Sequence, residues 1–340
     1  MTIVDAPRPT PLSRVWSKNR IIAEDLTGED LSDVLELHSD ASAWWVLPRD
    51  DQYAAAELRE VARALDLDQL AIKDLLANDH RVKYEEVGQA RLVITSAVSV
   101  DAQQGKIIVH PVSIIATDRA LICLSSDHPA LQPAQLLSAK GEQLARDGVE
   151  SALPLVLAAI IDTYEQAVKW LEAAGDELAD ALFDQRPLNR EEQLTAFRLK
   201  KALSRLRRLT EPMRTVLADL IDELPPPTKR TVRPGHAARH WTLVAEHHRR
   251  VADAADAQRE ALTSIFQTSL SLVEERSNDV MKKLTGWAAI IAVPTLVTGF
   301  VGMNVKFPME GTTAGFWLYL AVMVAAALVL YVVLKLRNWL

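Results

Sequence analysis

Cysteine is nearly absent from this chain: Cys123 is the only one in 340 residues. A single thiol can form neither an internal disulfide nor a cysteine metal cluster. Set in the apolar run from Ala120 to Leu124, it reads as a core residue in a reducing compartment. A concentrated basic face is missing too. The 38 Lys and Arg stand against 45 Asp and Glu, a formal net charge of −7, which argues against a nucleic-acid partner. The N-terminal residues are polar and carry Pro7, Pro9 and Pro11 with no apolar stretch behind them, so no secretory leader is expected. There is no Walker sequence, no Gly-rich dinucleotide turn and no nucleophile motif, so the chain is not expected to be an enzyme.

What is present is concentrated at the C-terminal end. From Leu284 to Val305, and again from Gly315 to Leu334, there is no Asp, Glu, Lys, Arg or His. Each run is about 20 residues long, the length an α-helix needs to cross a bilayer. Lys282 and Lys283 precede the first run, Lys335 and Arg337 follow the second, and the loop between them carries only Lys306 and Glu310. The positive-inside bias then predicts a membrane protein with both termini cytoplasmic and the 306–314 loop outside. Trp287, Phe316, Trp317 and Tyr319 fall near the expected interfaces.

The remainder divides by pattern. Residues 1–145 read as a cytoplasmic α/β domain, with strands at Ala43–Leu47, Arg91–Thr95, Lys106–His110, Ser113–Thr117 and Ala120–Leu124. Helical patterns fall at Leu31–His38, Ala54–Leu65 and Leu67–Asn78. Residues 146–235 read as a helical hairpin and linker: an acidic helix from Ser151, a break at Gln185-Arg186-Pro187, then a helix over Leu188–Leu224 with a basic middle. Its charges serve either hairpin pairing or plain solvation. After Pro234-Gly235 no Gly or Pro occurs between His240 and Gly286. A helix of about 65 residues would run on the order of 95 Å; it needs partners along its length, or it is a stalk. Residues 236–283 are the stalk, 284–305 and 315–334 the two membrane helices, and 335–340 a basic tail. The fold class expected is an α+β membrane protein that assembles as a homo-oligomer.

Steps of three and four along the first membrane helix collect Asn278, Met281, Thr285, Ala288, Ala292, Thr295 and Gly299, with Leu284 beside them. This seam is small or polar, whereas Trp287, Ile290, Ile291, Leu296, Val297 and Phe300 lie off it. It continues back through Glu274, Ser271, Gln267, Ser264, Glu260, Ala257 and Asp253. In lipid such a face turns towards other helices or water. Close helix contact and a water-filled axis are both open on the seam alone, and the second demands a ring of copies. At the outer end stands Asn304, the only amide residue in either run. Neither run offers the imidazole or thiolate that a transition-metal site wants. Magnesium prefers oxygen ligands and keeps its water, and amide oxygens accept hydrogen bonds from that water. His236 and His240 share a helical face and form a weaker zinc candidate.

The segment Asn278-Asp279-Val280-Met281-Lys282-Lys283-Leu284-Thr285, with Pro294-Thr295, Gly299-Phe300-Val301-Gly302-Met303-Asn304 and Asn338-Trp339-Leu340, resembles the CorA-type magnesium transporters, the two-transmembrane-GxN family. Looser likeness extends to Asp74-Leu75-Leu76 and Glu211-Pro212-Met213-Arg214. The resemblance implies a funnel-shaped homopentamer in the plasma membrane that carries Mg2+, and cobalt as well, passively inward under control of cytoplasmic Mg2+. It implies a selectivity filter at Gly302, Met303 and Asn304, a hydrophobic constriction at Met281 and Leu284, a polar ring at Asn278, and pore positions at Thr295 and Gly299. Glu310 would attract cations to the outer loop, and Lys335 and Arg337 would form a basic collar. Regulatory Mg2+ would bind between subunits at Asp74; Leu243 replaces the matching carboxylate, and Glu246, Asp253 or Asp256 would substitute. This chain differs from the family in Val301 before the filter, Ala292 in mid-pore, and the order Pro308-Met309-Glu310. A transition-metal transporter on the same scaffold and a membrane-anchored signalling protein are the alternatives.

Overall fold

The computed structural model describes residues 12–18, 20–49, 54–76, 81–125, 149–223, 236–303, 309 and 312–339. It divides into two units, one of Met1–Ala179 with Arg190–Thr263, the other of Asp180–Asn189 with Ser264–Leu340.

In the first unit β1 (Leu12–Ser17), β2 (Arg20–Glu24), β3 (Ser42–Pro48), β4 (Lys83–Val87), β5 (Ala90–Asp101), β6 (Lys106–Ala116) and β7 (Ala120–Ser125) form one mixed sheet in the order β2-β1-β3-β7-β6-β5-β4. Only β3 and β7 pair in parallel. One face of the sheet packs Trp45, Leu47, Leu92, Ile94, Ile115 and Ile122 against Leu31, Leu35, Leu58, Val61 and Leu75. Those last residues come from α1 (Gly28–Leu37), α2 (Ala54–Ala64) and α3 (Gln69–Leu76). The other face is closed by two long helices, α4 (Val149–Phe183) and α5 (Arg190–Asp222). Tyr164 donates to the Ser96 carbonyl at 2.6 Å, Thr163 accepts from the Val98 N–H at 3.1 Å, and Arg205 donates to the Ile107 carbonyl at 3.1 Å. Because both faces are covered, β5 is buried without alternation from Leu92 to Val98, Thr95 and Ser96 included. Cys123 is buried in this sheet, and burial pushes its thiol up to about 12, so it has no thiolate with which to react.

The expected strands at Lys106–His110 and Ser113–Thr117 are one strand, β6, running through Pro111. β6 pairs with β5 along its whole length, but β7 joins it only from Val112 onwards. Pro111 therefore sits where the strand has a neighbour on one side only, a place that tolerates a residue without an N–H. Strands β1, β2 and β4 were not expected. β2 and β4 are edge strands of partly exposed, charge-bearing residues, which carry little apolar alternation to read. The helical pattern Leu67–Asn78 appears as α3 as far as Leu76, and Ala77 to His80 lie outside the described residues.

Helix α6 spans His236–Val301, 66 residues, on the order of 100 Å at 1.5 Å per residue. In the first unit its inward stripe is Trp241, Val244, His248, Val251, Ala255 and Leu262, all buried, at alternating steps of three, four and seven. His248 is within this stripe, and its hydrogen bond to the Thr210 backbone does not offset burial, which lowers its pKa to about 4, with Arg214 and His247 lowering it further and Glu211 opposing. Below about pH 6.5 an unfolded histidine takes a proton that the folded one refuses until about pH 4. Stability contributed by neutral His248 is therefore complete above pH 6.5 and falls as the pH drops through that window, by up to about 3 kcal/mol. Denaturation at pH 7.5 and pH 5 should show this loss, and His248→Leu should shrink the difference between the two pH values.

In the second unit, Pro187 and the residues around it end α4: Gln185 has φ 53°, and the Leu188 N–H donates to Ser269 of α6 at 3.1 Å. α7 (Thr313–Leu336) is capped by Thr312, whose hydroxyl accepts from the Gly315 N–H. At its other end Asn338 has φ 57°. The Trp339 N–H reaches the Leu334 carbonyl and the Asn338 N–H the Lys335 carbonyl. That pair of bonds is a Schellman cap with Asn in the left-handed position, which gives Asn338 a structural role. α6 and α7 are each long and apolar enough to cross a membrane, with mean hydropathies of 1.8 and 2.5 in their most apolar windows, of which 6% and 0% are buried.

The exposed face of the long helix as a candidate ion path

Within the second unit, α6 presents two different faces over its apolar half. Val297, Thr298, Val301 and Gly302 share a cleft with Phe316, Tyr319, Leu320 and Met323 of α7. The opposite side holds Ala288, Ala292, Thr295 and Gly299 in a concave strip walled by Ile291, Leu296, Phe300 and Met303. Asn278, Met281, Leu284 and Thr285 precede it, also exposed. All eight expected lining residues are thus exposed on the described chain, and the second apolar helix covers the side away from them. The polar residues that continue the seam towards the N-terminus, from Glu274 back to Asp253, are likewise exposed. They lie roughly opposite the buried stripe of Trp241 and Leu262, at ~100° per residue.

Two hydroxyls on this stretch serve the helix itself. Thr295 donates to the Ile291 carbonyl at 3.0 Å and Thr298 to the Thr295 carbonyl at 3.1 Å. Such back-bonding settles a hydroxyl within an apolar span. Pro294 has no N–H to return to the Ile290 carbonyl, a local weakness in the ladder. The helix ends at Val301. The Gly302 N–H still reaches the Thr298 carbonyl at 2.9 Å and the Met303 N–H the Phe300 carbonyl at 3.2 Å. A Cβ on Gly302 would stand 3.1 Å from the Thr298 oxygen, so the turn favours glycine. Asn304 and Glu310 lie outside the described residues.

Lys335 stands over the Tyr331 ring at 5.7 Å, and Arg337 is the C-cap of α7; both are exposed. The four carboxylates expected to bind regulatory metal differ in setting. Asp74 faces Lys83 at 3.6 Å, Asp253 faces Arg249 at 3.4 Å and Asp256 faces Arg207 of α5 at 3.0 Å. Glu246 is exposed. The side chain of His236, proposed with His240 as a zinc pair, is outside the described residues.

A cluster absent from the sequence-based expectations lies in the first unit: Asp162 and Glu165 of α4 with His247 of α6. His247 Nε2 is 3.1 Å from Glu165 and Nδ1 is 3.6 Å from Asp162. Asp162 and Glu165 are three residues apart and share one helix face, which was visible, but His247 is 82 residues beyond Glu165 and no local spacing announces it.

Residues 40–336 match the family described as CorA-like Mg2+ transporter protein. The chain is 25% identical over 321 residues to the Cobalt/magnesium transport protein CorA of Thermotoga maritima, covering 92% of this chain and 87% of that protein. It is 28% identical over 207 residues to the Cobalt/magnesium transport protein CorA of Methanocaldococcus jannaschii, covering 60% of this chain and 63% of that protein. Its fold is similar to the complete structure of the CorA magnesium transporter from Methanocaldococcus jannaschii, with TM-score 0.75, 22% identity and coverage of 98% and 99%. It is also similar in fold to full-length CmaX, with TM-score 0.69, 19% identity and coverage of 96% and 97%.

Proposed function

The chain belongs to the CorA-like Mg2+ transporter family, and from that premise we propose that it is a passive magnesium channel built by a ring of identical chains. The observation that carries this reading is the two-faced apolar half of α6. The second apolar helix takes one side, leaving a small and polar side that the described residues do not cover. Bulky apolar residues such as Trp287 and Leu296 are also exposed on the single chain and need lipid or neighbouring copies around them. A closed ring, five copies as the resemblance implies, places the polar side on an axis and satisfies both demands.

In this reading Gly302, Met303 and Asn304 form the outer filter, where the Asn304 amide oxygens of the ring hold a cation through its water shell. Asn278, Thr285, Ala288, Ala292, Thr295 and Gly299 line the path, and Met281 with Leu284 close it by narrowing and dewetting. Glu310 gathers cations outside. Lys335 and Arg337 form the basic collar on the cytoplasmic side of the plasma membrane. A negative-inside potential supplies about 2.3 kcal/mol per charge per 100 mV, and twice that for a divalent ion, so uptake needs no other energy source. Cobalt, named for the relatives, follows as a second cargo.

Cytoplasmic Mg2+ gates the path by joining carboxylates of neighbouring copies. Asp74, Asp253 and Asp256 already face basic partners, so Mg2+ there competes with Lys83, Arg249 and Arg207; Glu246 is exposed. The test is Mg2+ entry into proteoliposomes under an imposed inside-negative potential. Uptake is expected in Mg2+-free vesicles and should fall several-fold when the cytoplasmic side is preloaded with millimolar Mg2+. Flux indifferent to that Mg2+ removes the gating, and no flux of any divalent ion from assembled protein removes the channel.

A further inference from the structure

We propose that Asp162, Glu165 and His247 form a binding site for a borderline divalent transition metal, Zn2+, Co2+ or Ni2+, that ties α6 to α4 within one chain. One donor atom from each lies within 4.8 Å of the others. Glu165 stands 3.1 Å from one ring nitrogen, Nε2, and Asp162 3.6 Å from the other, Nδ1. A single ion takes one of these nitrogens, and the 3.1 Å pair is near the roughly 3.4 Å between two ligands on a tetrahedral ion with bonds of about 2.1 Å. Burial decreases from His247, 21% exposed, through Glu165 to Asp162, 58% exposed. The imidazole is therefore fixed against the helices, and the open side of the cluster gives an ion a way in and room for a water ligand.

The geometry favours a cation, because carboxylate oxygens of Asp162 and Glu165 lie on both sides of the His247 ring. Lys169 stands at the far side of the cluster, its Nζ 2.8 Å from the other oxygen of Glu165, which leaves the second oxygen towards the histidine. Glu172, His240 and Arg250 line the groove beside the cluster. A nitrogen-containing donor set selects metals of the zinc and cobalt kind over Mg2+, which takes an all-oxygen octahedral shell. This site shares no residue with the proposed filter or with the carboxylates assigned to regulatory Mg2+.

The experiment uses the full-length chain with Asn304→Ala, so that the proposed filter does not contribute. Calorimetric titration with Zn2+ in millimolar Mg2+ should find about one ion per chain. His247→Gln and Asp162→Asn should each weaken it at least about tenfold. His247→Cys should keep it, since a thiolate is a zinc ligand, and shows that loss in the Gln variant is not misfolding. Co2+ in the same site should give an intense visible absorption band that vanishes in His247→Gln. Absence of Zn2+ binding, binding indifferent to His247→Gln, or displacement by Mg2+ overturns the proposal. Because no flux is read, failure here leaves the channel reading untouched, and failure of uptake leaves this site untouched.

Discussion

Asn304→Ala is expected to reduce Mg2+ uptake into proteoliposomes close to a hundredfold while the oligomer stays intact. The filter assigned to Asn304 works by accepting hydrogen bonds from the water around the ion, and alanine offers none. One such bond contributes about 0.5–1.5 kcal/mol net. Lost at once from the five copies of the proposed ring, the minimum is about 2.5 kcal/mol, and 1.4 kcal/mol corresponds to a factor of ten. The substituted residue lies beyond the end of α6 at Val301, so the packing of the helix in the first unit gives no reason for misassembly. Size-exclusion chromatography of the same preparation checks that. Uptake that survives the substitution would move selectivity to another ring, and Asn278 at the opposite end of the seam is the next candidate.

Trp241→Ala is expected to destabilise the first unit by about 3–5 kcal/mol, the range for deleting a large aromatic side chain from a packed core. Trp241 is 1% exposed and is one of the two buried tryptophans among the largest fully buried side chains, the other being Trp45 of the sheet. It begins the inward stripe of α6, which runs through Val244, His248, Val251, Ala255 and Leu262. Alanine therefore opens a cavity where the long helix first meets its neighbours. Trp241→Phe keeps most of the apolar contact and should lose much less. The measurement is chemical denaturation of the detergent-solubilised protein at pH 7.5, with His248 neutral in both states. A loss below about 1 kcal/mol for the alanine variant would mean that the stripe is anchored further along.

How much of this was legible in the sequence depends on how local each feature is. The two apolar helices were readable because the criterion is an uninterrupted run, and α7 extends only two residues beyond each end of the expected 315–334. α1, α2, β3 and β7 appeared within a few residues of their expected places because helical and strand periodicity are local properties. The length of α6 followed from the absence of Gly and Pro. The two readings of its polar seam, helix contact or a water-filled axis, were not separable by pattern. What favours the second is that α7 packs on the other side of α6.

Other features were not legible because they join distant residues. β3 and β7 are parallel neighbours whose registered residues, such as Ala43 and Ala120, have most of the domain between them in sequence. Nothing in either strand names its partner. Pro111 looked like a break and is not one, because a proline's cost depends on which sides of its strand are paired. The carboxylates expected to be metal ligands proved to face Lys83, Arg249 and Arg207, and only the pairing with Arg249, at four residues' spacing on one helix, was open to sequence.

The sequence by itself determined the membrane runs, the uninterrupted long helix, the single inert thiol and the chemistry at the end of the first span, since each depends on residue type along a contiguous stretch. The tertiary structure alone decided which side of α6 is left uncovered and which acidic groups are already engaged. It alone brought His247 to Asp162 and Glu165. Those outcomes depend on the packing of helices far apart in the chain, and packing is set by the whole set of buried side chains rather than by any local pattern.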